Sequence, residues 1–180
     1  VRPSDICVDG HGGFYVTDGG TAHGRTRSVT GLLYGTPDGE LREIVYPLEM
    51  PNGVALAPGG DILYVAETRT RRIWEFELGG PGIVRRARGL ATVPSGGPLN
   101  VGGADGLCVD SEGRILVATL GVGGVTVFSP GGDLLGAISA DDPMTTNMTL
   151  SAAESMLYLT LASTGRILVV EDWLVAAGIR

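Results

Sequence analysis

The segment MPNGVALAPGGDILYVAETRTRRIWEFEL, Met50–Leu78, decides the fold of this chain. Its short apolar runs predict a first strand at Val54–Ala57 and a second at Ile62–Glu67, separated by the turn sequence Pro-Gly-Gly-Asp. From Arg72 to Leu78, apolar and acidic residues alternate, which predicts a third strand with one buried face. A Gly-Gly-Pro-Gly turn then precedes a predicted fourth strand at Ile83–Ala87. The segment therefore predicts a small antiparallel sheet of four strands.

The same phrase occurs four times along the chain. It reads PSDICVDGHGGFYVTD from Pro3, PNGVALAPGGDILYVAET from Pro51, ADGLCVDSEGRILVAT from Ala104 and TNMTLSAAESMLYLT from Thr146. Alignment of the phrases places four polar residues at one position: Ser4, Asn52, Asp105 and Asn147. Their separations of 48, 53 and 42 residues match propeller blades, which repeat every 40 to 50 residues or so.

The repeats predict an all-β fold, a β-propeller of four-stranded antiparallel blades with about four blades present. We expect residues 1–180 to form a single, partial propeller domain, with repeats near 3–50, 51–103, 104–144 and 145–180. The first repeat inserts a Gly/Thr/Arg-rich loop at 19–31, and a Gly/Pro-rich linker at 93–103 follows the second. The last repeat is incomplete, with a turn or two of helix predicted at Trp173–Ala177. Unclosed blades would leave exposed faces, which predicts a homo-oligomer or a partner segment that completes the ring; four repeats that close alone are the alternative.

Composition excludes several classes of protein. Glycine supplies 30 of the 180 residues without a three-residue period, which favours a turn-dense β fold and excludes collagen. The net charge of −7 argues against a nucleic-acid partner. No apolar run reaches the roughly 18 residues of a spanning helix, so no membrane association is expected. Without a visible export signal, and with Cys7 and Cys108 spaced for neither zinc nor a disulfide framework, a cytoplasmic location is expected.

The phrases PNGVALAPGGDILYVAET, RRIWEFEL and ADGLCVDSEGRILVAT resemble the SMP-30/gluconolactonase/luciferin-regenerating-like family of six-bladed β-propellers. The resemblance implies one divalent cation in the central channel and hydrolysis of lactones or related esters. It makes Asn52 and Asp105 metal ligands and places Arg2 against the substrate. Ser4 stands where the family has an asparagine that contacts metal or substrate. The first acidic ligand of the family has no counterpart in this sequence, which is similar to the C-terminal two-thirds of such a propeller.

Because each blade's innermost strand runs along the channel, residues at one repeat position converge near one mouth. This predicts a ring of oxygen donors that suits Ca²⁺ best, with Mg²⁺, Mn²⁺ or Zn²⁺ as alternatives. Asp105 is the predicted catalytic residue as well as a ligand, and Arg2, Ser4 and Asn147 are the predicted substrate-binding residues. With one aspartate the ligand charge is about −1, which predicts weak cation binding.

Two functions remain open at this point. The first is a metal-dependent lactonase-like hydrolase that acts on a small lactone or sugar-derived substrate. The second is a catalytically inactive propeller fragment that binds a small molecule or another protein. His11 and His23 lie in Gly-rich turns without a recognisable Ser/Asp arrangement, which argues against a hydrolytic triad.

Overall fold

The structure, a computed structural model, describes residues 1–96 and 102–179. Residues 97–101 of the predicted linker and Arg180 lie outside the described residues. The described chain forms four antiparallel sheets in sequence order and one small two-stranded hairpin. Each of the first three sheets has four strands and the last has three. The predicted propeller of four-stranded antiparallel blades is confirmed.

The first ten strands comprise the eight strands of the first two sheets and the two strands of the hairpin. They are β1 (Pro3–Val8), β2 (Phe14–Asp18), β3 (Ala22–His23), β4 (Thr26–Arg27), β5 (Thr30–Gly35), β6 (Leu41–Leu48), β7 (Pro51–Leu56), β8 (Ile62–Glu67), β9 (Arg72–Gly80) and β10 (Ile83–Thr92). The orders are β1-β2-β5-β6 and β7-β8-β9-β10, and β3 and β4 form the hairpin inside the predicted loop 19–31.

The third and fourth sheets repeat this up-and-down order. Their strands are β11 (Gly103–Val109), β12 (Ile115–Leu120), β13 (Gly124–Phe128), β14 (Leu134–Ser139), β15 (Thr145–Leu150), β16 (Met156–Leu161) and β17 (Arg166–Glu171). The chain then forms a short helix, α1 (Trp173–Ala176), close to where the sequence predicts a helical turn. Among the described residues no helix is long and apolar enough to cross a membrane.

The second sheet differs from its sequence prediction at its outer edge. The strand expected at Ile83–Ala87 extends to Thr92, and the preceding strand reaches Gly80 rather than Leu78. Gly80 pairs directly with Ile83, so part of the predicted turn belongs to the ladder. The backbone of Gly80 has φ +144°, a conformation that glycine adopts without strain and other residues rarely adopt.

Successive sheets pack face to face through alternating residues of their strands. In β8, Leu63 and Val65 enter the apolar layer shared with the first sheet, whereas Tyr64 and Ala66 enter the layer shared with the third. All four are at most 2% exposed. Each large apolar side chain buried in this way contributes about 1.5–3 kcal/mol. The period-two pattern of the sequence therefore positions each sheet between two neighbours.

The two terminal sheets each have a neighbouring sheet on one side within the described residues. Their other faces expose apolar side chains: Ile6 is 58% and Val8 is 66% exposed in the first sheet, and Ile167 is 70% and Val169 is 47% exposed in the fourth. Such side chains are usually buried in soluble proteins. The arc of sheets thus ends in two apolar faces.

Candidate metal and substrate site

An irregularity recurs at the same place in the innermost strand of every sheet. The pairing register shifts between Pro3 and Ile6, Pro51 and Val54, Ala104 and Leu107, and Thr145 and Asn147. Each shift inserts one extra residue in the inner strand, which is the pattern of a β-bulge. Bulges re-aim side chains near functional sites. The four predicted site positions Ser4, Asn52, Asp105 and Asn147 all lie in or beside these bulges.

The register of the fourth bulge differs from the sequence alignment. Ala104 pairs with Thr119 and Thr145 pairs with Leu161, so Thr145 is the counterpart of Ala104. Thr146 is then the counterpart of Asp105, and Asn147 stands one residue later, at the position of Gly106. The turn between the first two strands differs by one residue in length between the third and fourth repeats. The alignment of Asn147 with Asp105 is therefore wrong by one residue.

Asp5 is the counterpart of Asn147 in the first sheet. The backbone N–H of Asp5 donates to the Thr17 hydroxyl (3.2 Å), and that of Asn147 donates to the Thr160 hydroxyl (2.9 Å). In both residues the side-chain oxygen Oδ1 accepts the N–H of the next residue, at 2.9 Å and 2.8 Å respectively. The first and fourth sheets thus place an oxygen-bearing side chain where the second and third have glycine.

Those glycines allow the bulges of neighbouring sheets to touch. A Cβ on Gly53 would lie 2.6 Å from the carbonyl oxygen of Asp105, and one on Gly106 would overlap the side-chain oxygen of Asn147. Between the first and second sheets, Oδ2 of Asp5 accepts the N–H of Val54 at 3.1 Å. The four bulges therefore form one continuous row, which brings the predicted residues together from positions far apart in sequence.

Asp105 is the most perturbed acid of this row. It is 9% exposed, and burial together with the negative charge of Asp5 raises its pKa to about 7. Burial also raises the pKa of Asp5, although the N–H groups of Val54 and Ile6 oppose that shift. None of the described residues donates a hydrogen bond to the carboxylate of Asp105. A buried carboxylate without a protein donor is costly unless a cation or a proton compensates it.

Asn52 is half-buried in the second bulge, next to Gly53, which approaches the main chain of Asp105. Its backbone carbonyl accepts the Thr17 hydroxyl at 2.5 Å, which ties the second bulge to the first sheet. Its side-chain amide makes no hydrogen bond to any of the described residues. This amide is therefore available to a ligand.

Ser4 and Arg2 lie at the exposed beginning of the first sheet. The backbone N–H of Arg2 donates to Oδ1 of Asp18 at 2.9 Å, and its carbonyl accepts the N–H of Gly19, also at 2.9 Å. A Cβ on Gly19 would overlap the Ser4 hydroxyl, so this hydroxyl lies against the base of the loop containing β3 and β4. The structure anchors the Arg2 backbone and leaves its side chain exposed.

The donor set fits a hard divalent cation. Within residues 1–96 and 102–179, no group of three or more His, Cys, Asp or Glu side chains could hold a metal ion, so neutral oxygens would have to complete any site. Asp5, which the sequence analysis does not single out, supplies a second carboxylate whose charge acts on Asp105, and as a ligand it would raise the ligand charge to about −2. Two carboxylates and the amides of Asn52 and Asn147 are ligands typical of Ca²⁺ and Mg²⁺. The sequence feature that could identify Asp5 is its position directly after Ser4, which aligns with Asn52 and Asp105.

The fold and this row of oxygen donors define a β-propeller protein with an acid-and-amide site at the openings of its inner strands. The chain belongs to the SMP-30/Gluconolactonase/LRE-like region family, whose model matches residues 1–163. The resemblance expected from the sequence is therefore confirmed.

Three similar proteins illustrate the relationship. The lactonase drp35 of Staphylococcus haemolyticus is 34% identical over 135 residues, which cover 74% of this chain and 40% of that protein. A solved structure of a gluconolactonase from Xanthomonas campestris is 29% identical with a TM-score of 0.72, covering 88% of this chain and 53% of that one. The calcium-binding protein regucalcin from Agrobacterium tumefaciens has a TM-score of 0.72 at 19% identity, covering 98% of this chain and 57% of that one, and shows the fold alone. The chain spans about 40% of the length of the curated lactonases it matches.

Proposed function

We propose that this chain carries the metal and substrate site of a metal-dependent lactonase, which opens the ring of a lactone or related carboxylic ester. One observation supports this most: Asp105 is a buried carboxylate without a protein donor, next to a second carboxylate and a free amide. Membership of a family that contains lactonases adds the reaction class. Perturbed acids in such a setting are typical of functional sites.

In this proposal Asp105 and Asn52 hold the cation, and Asp5 contributes the second negative charge. When bound, the cation supplies a Lewis acid that polarises the lactone carbonyl and stabilises its developing charge. Ca²⁺ suits the oxygen donors best. The exposed side chain of Arg2 would hold a hydroxyl or carboxylate of the substrate, and Ser4 and Asn147 would contact its polar groups.

Asp105 has a second role in the proposal, that of proton acceptor. With the cation bound, Asp105 would be ionised in spite of its pKa of about 7 in the metal-free chain, and an ionised carboxylate can accept a proton as a general base does. A water molecule beside Asp105 would lose its proton to the carboxylate as it attacks the carbonyl carbon.

A panel of sugar and aliphatic lactones, assayed with and without Ca²⁺, Mn²⁺ and Zn²⁺, tests the proposal. We expect activity with at least one metal, and its loss on addition of chelator or in Asp105→Ala. Asp61→Ala is the matched control, because Asp61 is an exposed acid in the turn between β7 and β8, at the far end of the inner strands. Inactivity with every lactone and metal would refute the proposal.

That negative result would support the second function, a propeller that binds a small molecule or protein without catalysis. One observation favours this alternative: among the described residues no three acidic, His or Cys side chains meet in one place. Ligand binding without turnover in the same lactone panel, measured by calorimetry, would then be the expected outcome.

A further inference from the structure

A cavity of about 360 Å³ lies between the first and second sheets, away from the bulges. Three turns line it, at residues 9–11, 57–60 and 80–81. The turn at Asp9 follows Asp5 by four residues, about 13 Å along an extended strand. The cavity is within the usual size of small-molecule sites, roughly 300–1,000 Å³. It therefore stands apart from the candidate site, and its ligand does not depend on the proposed lactonase.

The wall of this cavity contains a buried hydroxyl group whose hydrogen has no acceptor among the described residues. Tyr15 is 1% exposed, and its hydroxyl oxygen accepts the N–H of Gly82 at 3.1 Å. A phenol hydroxyl can both accept and donate a hydrogen bond, but none of the described residues accepts a hydrogen bond from the Tyr15 hydroxyl. Leaving a buried donor unsatisfied costs about 1–3 kcal/mol. An oxygen of a bound molecule would remove this cost.

Asp9 provides a complementary acceptor. Although burial opposes it, hydrogen bonds from the Tyr34 hydroxyl (2.7 Å) and from the N–H groups of His11 and Gly13 (2.8 Å each) hold the pKa of Asp9 below its usual value. A carboxylate accepts about four hydrogen bonds, so one position remains free. The negative charge of Asp9 disfavours an anionic ligand. Because three hydrogen-bond donors already stabilise this charge, a cationic ligand would gain little from binding beside it.

The remaining lining is either apolar or without side chains. Leu56, Pro58 and Pro81 supply apolar walls, and Gly10 and Gly60 leave open space, since a Cβ on either glycine would meet nothing within 4 Å. Apolar walls around a few placed polar groups are typical of small-molecule sites. One free donor, on Tyr15, and one free acceptor, on Asp9, both from the first sheet, match adjacent hydroxyl groups of a ligand, each of which can both give and take a hydrogen bond.

We propose that this cavity binds a small neutral polyhydroxylated molecule, of the size of a sugar alcohol or monosaccharide. One hydroxyl of the ligand donates to the carboxylate of Asp9, and the oxygen of another accepts the Tyr15 hydroxyl. His11, exposed at the rim, adds a polar group at the entrance.

Titration of the protein with xylitol, followed by the amide NMR signals, tests this site. We expect the signals of Gly10, Gly60 and Gly80 to shift with saturation. Gly10→Leu adds a bulky side chain to a lining residue of the cavity that has no positive φ to strain, and should weaken xylitol binding more than tenfold. Gly131→Leu is the control, because Gly131 lies in the exposed turn between β13 and β14 and its Cβ would meet only side-chain oxygens at 3.5 Å or more.

Two further arms separate this site from the bulges and from charged ligands. Asp105→Ala should leave xylitol binding unchanged, whatever its effect on lactone hydrolysis. Choline and acetate, one cation and one anion, should cause no saturable shift at Gly10. The proposal is overturned if xylitol causes no saturable shifts, if Gly10→Leu binds it as well as the unsubstituted chain does, or if choline binds in its place.

Discussion

Replacing Asp105 with asparagine is expected to stabilise the metal-free protein at alkaline pH. Burial and the charge of Asp5 raise the pKa of Asp105 from 3.8 to about 7. The folded state therefore holds a proton that the unfolded chain has already lost between about pH 4 and pH 7, so stability falls as pH rises through that range. Above it, the charged carboxylate costs the folded state about 4 kcal/mol, at about 1.4 kcal/mol per pH unit. Asparagine keeps the shape and removes the charge.

Urea unfolding in the presence of chelator, at pH 4 and pH 8, measures this effect. The free energy of unfolding of Asp105→Asn should exceed that of the unsubstituted protein by up to about 4 kcal/mol at pH 8, and the two should agree at pH 4. Asp61→Asn, an exposed acid, serves as the control and should show no such pH dependence. Equal or lower stability of Asp105→Asn at pH 8 would refute the claim that the buried charge of Asp105 destabilises the folded state. A stability gain with loss of metal binding is the pattern expected of a functional residue.

Three other predictions concern the surroundings of the site. Asp5→Asn should lower the pKa of Asp105, measured by carboxyl NMR titration, because a neighbouring negative charge is removed. An unchanged pKa would mean that the two carboxylates do not interact. Gly106→Ala should weaken cation binding at least tenfold in calorimetry and cost about 1–3 kcal/mol of stability, since its Cβ would overlap Asn147; unchanged affinity would mean that the bulges do not act together. Ile167→Asp should reduce self-association in sedimentation velocity, because the exposed face of the fourth sheet is apolar; a monomeric unsubstituted protein would contradict this.

Much of the fold was predictable from local patterns. The period-two alternation around Leu63 and Val65 identifies the strand and both of its buried faces. The turn after Ala57 was equally visible, because Gly60 has φ +73° and Gly-Gly-Asp sequences favour such turns. The extension of β10 from Arg88 to Thr92 was not, because Arg-Gly-Leu-Ala-Thr shows no apolar alternation and an edge strand needs none.

The site was only partly predictable. The repeated motif identifies Asn52 and Asp105, but bulges insert residues that a sequence alignment does not reveal. The alignment therefore places Asn147 one residue out of register and does not select Asp5. Asp105 is buried at a sheet interface where its main-chain carbonyl approaches Gly53, and no local pattern encodes a contact between residues 52 positions apart.

Calorimetric titration with Ca²⁺ tests the central claim, that the row of bulges is a cation site centred on Asp105. Mn²⁺ and Zn²⁺ titrations run in parallel, near pH 6.5 in two buffers of different ionisation enthalpy. The account predicts saturable binding of at least one ion, proton release on binding because Asp105 must ionise, and loss of both in Asp105→Asn but not in Asp61→Asn. Absence of binding at millimolar concentrations of all three ions, or equal binding by Asp105→Asn, would contradict it.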